Sequence, residues 1–280
     1  MDKGAWFLSE RRRSMGIDSS SVCIIGGTGK MGSWLGTLFE ADGLQVVSIG
    51  KDTVLKARDA VPLCKVVVVS VPISDAVEVI SEVAPLVREE TLLVDLTSIK
   101  SATMRAMLSL SKAQVAGVHP LFGPGETAGP SSRVALCPGR GKEGIQWIER
   151  FFKRKGFAVS MIDPETHDRM MGLIQGVNHF STIVLALCMA ESGFSLEDMT
   201  ELSTAGFMKR IERIHAMLAQ PGELFQSLLM ENKEAVGFLN NYHDQAGRLI
   251  GIVRKGDTAG FERIWKTITR FFGHNGKVLR

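Results

Sequence analysis

An apolar run, Val22-Cys23-Ile24-Ile25, enters Gly26-Gly27-Thr28-Gly29-Lys30-Met31-Gly32, and the next segment, Ser33-Trp34-Leu35-Gly36-Thr37-Leu38-Phe39, spaces its apolar residues at a helical period. Gly27, Gly29 and Gly32 therefore form G-x-G-x-x-G between a strand and a helix, the context in which this spacing cradles a dinucleotide. The first glycine permits a tight turn, the second lets the backbone approach a pyrophosphate, and the third lets the helix pack close on the strand. Free N–H groups and the positive dipole end at the helix start attract the phosphates. The expected cofactor contacts are Gly27, Thr28, Gly29, Lys30, Met31 and Gly32; a purely structural glycine turn is the alternative.

The rest of the N-terminal half supports a doubly wound α/β sheet. Leu44–Gly50, Lys65–Pro72, Leu92–Asp95, Val115–Val118, Arg133–Cys137 and Ala158–Ile162 read as strands. Lys65–Pro72 is apolar on both faces, as a central strand of a covered parallel sheet must be. Helices are expected over Asp75–Val87 with Asp75 as N-cap, over Ser101–Leu110 and over Glu143–Lys155, and Phe122–Ser132 reads as a Gly/Pro/Ser-rich loop. Alternating strands and helices predict a Rossmann-type, doubly wound parallel sheet over residues 21–163. From Glu165 onward only the helical period persists, which predicts an all-α domain of four or five helices over residues 164–280. Its first helix, reaching Glu191 or Ser192, is apolar around much of its circumference, as helices at subunit interfaces often are. Ser195 with Asp198 resembles a capping box. Further helices are expected over Phe207–Leu218, from Pro221 to Lys255, and over Thr258–Phe272.

Composition narrows the partners. The formal charge is only +3 over 280 residues, and no basic run is interleaved with aromatics, so nucleic acid is not expected. No apolar stretch approaches the length of a membrane span. The four cysteines, Cys23, Cys64, Cys137 and Cys188, form no C-x-x-C pair and lie in or beside apolar stretches, the pattern of reduced core thiols in a cytoplasmic protein. No His/Cys cluster has metal-ligand spacing. Residues 1–20 read as a flexible lead-in; their Arg11-Arg12-Arg13 run precedes no apolar signal core.

In an open parallel sheet, ligands bind beyond the carboxyl ends of the strands. Lys51 and Asp52 follow the second strand, a cation for the 2′-phosphate of NADP or a carboxylate for the ribose of NAD. Val71 and Pro72 follow the third, Ser98 and Lys100 the fourth, and His119 ends the fifth. One edge thus gathers a phosphate cradle, a hydroxyl, a lysine and a histidine of near-neutral pKa, a set suited to hydride transfer with proton removal by His119. Equally, a histidine at that place could serve only to close the strand.

These segments resemble the prephenate dehydrogenase family. The resemblance rests on Gly26–Gly32, Val69-Ser70-Val71-Pro72-Ile73, Asp95-Leu96-Thr97-Ser98-Ile99-Lys100 and Gly117-Val118-His119-Pro120-Leu121-Phe122-Gly123-Pro124. Glu165-Thr166-His167-Asp168, Gln175, His179-Phe180 and Leu224–Asn232 extend it over nearly the whole chain from Ser21. It is closest to the dehydrogenase half of bifunctional chorismate mutase–prephenate dehydrogenases, without room for a mutase domain ahead of it. The resemblance implies oxidative decarboxylation of prephenate to 4-hydroxyphenylpyruvate with NAD or NADP on the route to tyrosine. His119 would take the ring hydroxyl, Ser98 would orient His119, and the helical domain would form a homodimer. Lys100, Gln175, His179, Arg213 and Arg210 are the expected substrate contacts. One departure stands out: the family's carboxylate-binding arginine aligns with Ala216, so Arg213 or Arg210 must substitute, unless both are solvated surface charges. His179 has a core-histidine alternative, and His167-Asp168 reads as a helix start. An arogenate-oxidising relative and a nucleotide-binding paralogue without turnover are the competing functions.

Overall fold

Strands apolar on both faces build the N-terminal half. In the computed structural model, which describes Glu10, residues 20–123 and residues 132–274, one seven-stranded sheet runs in the order β2-β1-β3-β4-β5-β6-β7. Its strands are β1 (Val22–Ile25), β2 (Val46–Ile49), β3 (Val66–Val69), β4 (Leu92–Asp95), β5 (Gln114–Pro120), β6 (Arg133–Arg140) and β7 (Ala158–Met161). Val22, Ile24, Val66 and Val68 face one layer with Leu35, Phe39, Phe151 and Phe152, while Cys23, Ile25, Val67 and Val69 face the other with Ile80, Met104 and Met107. The helices supplying those layers are α1 (Lys30–Glu40), α2 (Ile73–Val83), α3 (Ser101–Leu110) and α4 (Lys142–Arg154). The lead-in 1–20, apart from Glu10 and Ser20, and most of the loop expected over 122–132 lie outside the described residues.

The expected all-parallel sheet needs one correction. β5 pairs with β6 antiparallel, with His119 opposite Ala135 and Pro120 opposite Val134; every other pairing is parallel. The connecting sequence, residues 121–132, carries Gly and Pro and no helical apolar spacing, whereas a parallel return usually runs through a helix. A second correction concerns α2: Pro72 is its N-cap residue and Asp75 lies in its first turn. Proline has no N–H to lose, and its fixed φ suits a helix entry.

The C-terminal half is helical throughout: α5 (Pro164–Met171), a π-helical turn (Gly172–Val177), α6 (Asn178–Ala190), α7 (Leu196–Glu201), α8 (Ala205–Leu218), α9 (Gly222–Met230), α10 (Ala235–Lys255) and α11 (Thr258–His274). The expected helix from Pro221 to Lys255 is two helices, which takes the domain beyond the four or five anticipated. Asn232 ends the first of them: its Oδ1 accepts the Glu234 N–H at 3.1 Å and its Nδ2 donates to the Asp168 carbonyl at 2.8 Å. The Ser195–Asp198 capping box is present in full.

Two readings of apolar sequence change. Cys188 is exposed, whereas Cys23, Cys64 and Cys137 are buried. The continuous helical stretch Pro164–Ala190 is long and apolar enough, by length and composition, to cross a membrane, and little of it is buried. That stretch also packs within the protein: a methyl group placed on Gly172 would lie 3.1 Å from the Ala235 nitrogen, and one on Gly176 would lie 3.2 Å from the Ala235 Cβ.

Candidate active site

The strand order reverses between β1 and β3, and this reversal is where open α/β sheets bind their ligands. Gly26, at φ +81°, makes the left-handed turn after β1; a Cβ there would meet the Ser70 carbonyl at 2.1 Å. The turn therefore depends on Gly26, one residue before the glycine the sequence pattern assigned to it. A Cβ on Gly32 would lie 2.3 Å from the Gly26 carbonyl, so α1 packs against the loop only because that residue is glycine. Gly29 is the N-cap of α1 and no side chain caps the helix, which leaves the N–H groups of Lys30, Met31 and Gly32 to an external acceptor. The bare helix start and glycine-rich loop fit a dinucleotide pyrophosphate. Thr28 packs on Gly50 at the end of β2, Lys51 and Asp52 stand exposed beyond it, and Val71 lies against Gly26.

A buried ion pair holds the neighbouring strand ends together. Lys100 and Asp95 have no solvent exposure, and the Lys100 ammonium donates to the Asp95 carboxylate, to the Val118 carbonyl at 3.0 Å and to the Asp95 carbonyl at 3.3 Å. All three of its protons are thus taken, and Lys100 does not line the cavity. The expected substrate contact is instead a structural tie between β4 and the end of β5. Thr103 donates to the same carboxylate at 2.6 Å and the Thr97 N–H to its other oxygen at 2.9 Å, a turn that leaves Ser98 at the cavity wall.

His119 ends β5 almost fully buried. Its Nδ1 lies 2.9 Å from Nε2 of His167, whose own Nδ1 lies 2.8 Å from Asp168 Oδ1. The carboxylate accepts, so His167 carries its proton on Nδ1 and presents a lone pair to His119. His119 therefore donates from Nδ1, and its Nε2 lone pair faces the cavity, where the Gln175 amide stands 3.5 Å away. Burial, then the neighbouring His167 and Lys100, push the His119 pKa well down. Burial would raise the Asp168 pKa, but hydrogen bonds from His167 and from the N–H groups of Lys100 and Ser101 outweigh it and hold the carboxyl low. Among the described residues no hydrogen bond joins Ser98 to His119. The residue that orients the imidazole is His167.

A cavity of about 640 Å³ opens over this histidine, between the sheet edge and the helical domain. Met31, Ser98 and His119 form its sheet side; Gln175, His179 and Arg213 line the helical side. His179 stacks edge-on against Phe225 at 5.1 Å, and burial, then the Arg213 charge, lower its pKa. Arg213 and Ala216 lie one turn apart on α8 and both face the cavity; Arg210 faces an adjoining recess instead.

Two family models match in succession: the nucleotide-binding domain of prephenate dehydrogenase over residues 40–161 and its dimerization domain over residues 163–267. The chain belongs to the prephenate dehydrogenase family. It is 28% identical over 256 residues to a T-protein of Enterobacter agglomerans, covering 91% of this chain and 68% of that protein. It is 30% identical over 277 residues to a probable arogenate/prephenate dehydrogenase of Methanocaldococcus jannaschii, covering 92% of this chain and 62% of that protein. The chain thus spans about two thirds of the length of these relatives. A solved prephenate dehydrogenase from A. aeolicus, in complex with hydroxyphenyl propionate and NAD+, shares the fold at TM-score 0.73 and 17% identity over 92% of this chain and 99% of that one. An arogenate dehydrogenase from Synechocystis does so at TM-score 0.71 and 16% identity, over 92% and 100%.

Two members of this hydrogen-bonded chain, His167 and Asp168, were read from sequence as a helix start only. The structure corrects that reading: both lie past the first turn of α5, whose N-cap Asp163 accepts the Thr166 N–H and whose first-turn acid is Glu165. The signal was adjacent His and Asp in a domain whose first turn faces the strand ends.

Proposed function

We propose that this chain is a nicotinamide-dependent prephenate dehydrogenase, oxidising and decarboxylating prephenate to 4-hydroxyphenylpyruvate for tyrosine synthesis. The observation that carries this reading is the Asp168–His167–His119 chain, which turns an unprotonated Nε2 toward the cavity above the glycine loop. The hydroxyl of a bound cyclohexadienol donates to that nitrogen. As hydride leaves the carbinol carbon, His119 draws the hydroxyl proton and stabilises the charge developing there. The electron pair of the breaking C–CO2 bond enters the ring, which becomes aromatic, and the proton returns to the phenol oxygen. The nicotinamide supplies the hydride acceptor. His167 and Asp168 hold the imidazole in place and offset the positive charge it gathers, as a carboxylate–histidine pair does elsewhere. Arg213, facing the cavity beside Ala216, takes a substrate carboxylate; a guanidinium can do so bidentately. Lys51 and Asp52 support NADP and NAD respectively. Cys23, Cys64 and Cys137, buried as thiols, suit the reducing cytoplasm, and the apolar helical domain suits a homodimer.

The test is nicotinamide reduction with prephenate or arogenate, each with NAD or NADP. Turnover of prephenate with either nucleotide is expected. Silence in all four combinations, with nucleotide still bound, would instead favour a binding subunit, and Ala216 would explain it.

A further inference from the structure

The recess beside the substrate cavity encloses about 390 Å³ between α6 and α8. It shares Asn178, Thr182 and Arg213 with that cavity and is otherwise walled by Ser181, Leu185, Gly206, Lys209 and Arg210. Residues 206, 209, 210 and 213 lie on one helical face, so three cations converge on the recess. Among the described residues none of the three forms an ion pair with a carboxylate. Among those residues the Arg213 guanidinium donates to Asn178 Oδ1, at 3.3 Å. Nor does any described Asp or Glu line either cavity. Clustered like charges repel one another, and a bound anion relieves that repulsion.

We propose that this recess is the subsite for the side-arm carboxylate of the substrate and that it selects the α-keto acid over the α-amino acid. The proposal rests on the reading of the site given above. With the ring hydroxyl at His119, Arg213 stands at the junction of the two cavities and takes the ring carboxylate, while the side arm extends past it to Lys209 and Arg210. In the keto acid the arm ends in a carboxylate beside a neutral carbonyl, which Ser181 can meet. In the amino acid an ammonium replaces that carbonyl; it finds no described carboxylate and faces three cations, a repulsive element that discriminates between otherwise equal ligands.

The experiment is steady-state kinetics with prephenate and arogenate on the wild-type chain and on Arg210→Ala, Arg210→Lys and Arg210→Glu. The wild type should prefer prephenate. Arg210→Ala should lower kcat/KM for prephenate about tenfold, chiefly through KM, as loss of a partly exposed charge-assisted contact does. Arg210→Lys should restore most of it. Arg210→Glu should move the prephenate-to-arogenate ratio further toward arogenate, since it gives the ammonium a partner. If prephenate is oxidised but the ratio is the same in all four proteins, or if the wild type prefers arogenate, the recess has no such role. If the wild type oxidises neither compound, the underlying assignment of the site falls first and takes the recess with it.

Discussion

Burial strips water from the His119 cation, and the His167 ring and Lys100 ammonium beside it oppose a positive charge, so the imidazole stays neutral well below its ordinary range near 6.5. The base is therefore available in mildly acidic solution, and the acid limb of kcat/KM should be centred below pH 6.5; a limb at or above that value would contradict the assignment. Stability carries the same sign. Below pH 6.5 the unfolded chain takes up a proton that the folded chain refuses, so this contribution is whole above that pH and is lost as the pH falls. His119→Asn should lower turnover by about 100-fold, the usual range for a lost general base, with nucleotide affinity nearly unchanged in a fluorescence titration. Unaltered turnover would remove His119 from the chemistry. Position made His119 and Ser98 legible from sequence, because His119 lies at the end of β5 and Ser98 just past the end of β4. His167 was not legible, since a contact across 48 residues leaves no local periodicity, and the helix dipole already accounted for an aspartate in a first turn.

At the scale of elements, Asp168 couples the two domains. The N-cap of α3 is Lys100, which offers no side-chain cap of its own. The missing cap comes from α5: Asp168 accepts the Lys100 N–H at 2.7 Å and the Ser101 N–H at 2.8 Å. One carboxylate thus caps a helix of the sheet domain and orients His167, which in turn orients His119. Asp168→Ala leaves two inward-facing N–H groups without an acceptor, at about 1–3 kcal/mol each. The urea midpoint should fall by the equivalent of about 2–6 kcal/mol at unchanged slope, with loss of turnover besides. A stability change under about 0.5 kcal/mol, the size typical of neutral surface substitutions, would show that the cap is idle. The sheet and its helices were readable because both faces of β1 and β3 are apolar and α3 keeps a clear helical spacing. The reversed β6 was less readable: alternation fixes a strand's faces, not its direction. The π-helical turn that sets Gln175 near His119 had no sequence signature: the segment reads as one continuous helix, and the approach of Ala235 to Gly172 and Gly176 comes from a distant part of the chain.

For the whole molecule, what the helical domain leaves uncovered decides the argument. Ile211, Ile214, Leu228, Ala235 and Met171 are among the few apolar side chains it buries, while Ile250, Val253, Trp265, Phe271 and Phe272 on α10 and α11 are each half or more exposed. The periodicity of these helices was legible; what covers them was not, because a single chain's sequence shows an apolar face without showing its partner. Burying a side chain of this size is worth about 1.5–3 kcal/mol, so a second copy laid across these faces gains far more than a lone domain retains. Under two-fold symmetry each substitution acts twice. Trp265→Glu should therefore weaken a dimer by about 3–6 kcal/mol, or about 100- to 10,000-fold in Kd. Light scattering coupled to size exclusion should show the wild type at twice the chain mass at micromolar concentration and Trp265→Glu shifting toward the monomer on dilution. A wild type that runs as a monomer, or a Trp265→Glu protein that stays dimeric at every concentration, would place the contact elsewhere and leave α10 and α11 without the second copy argued for them.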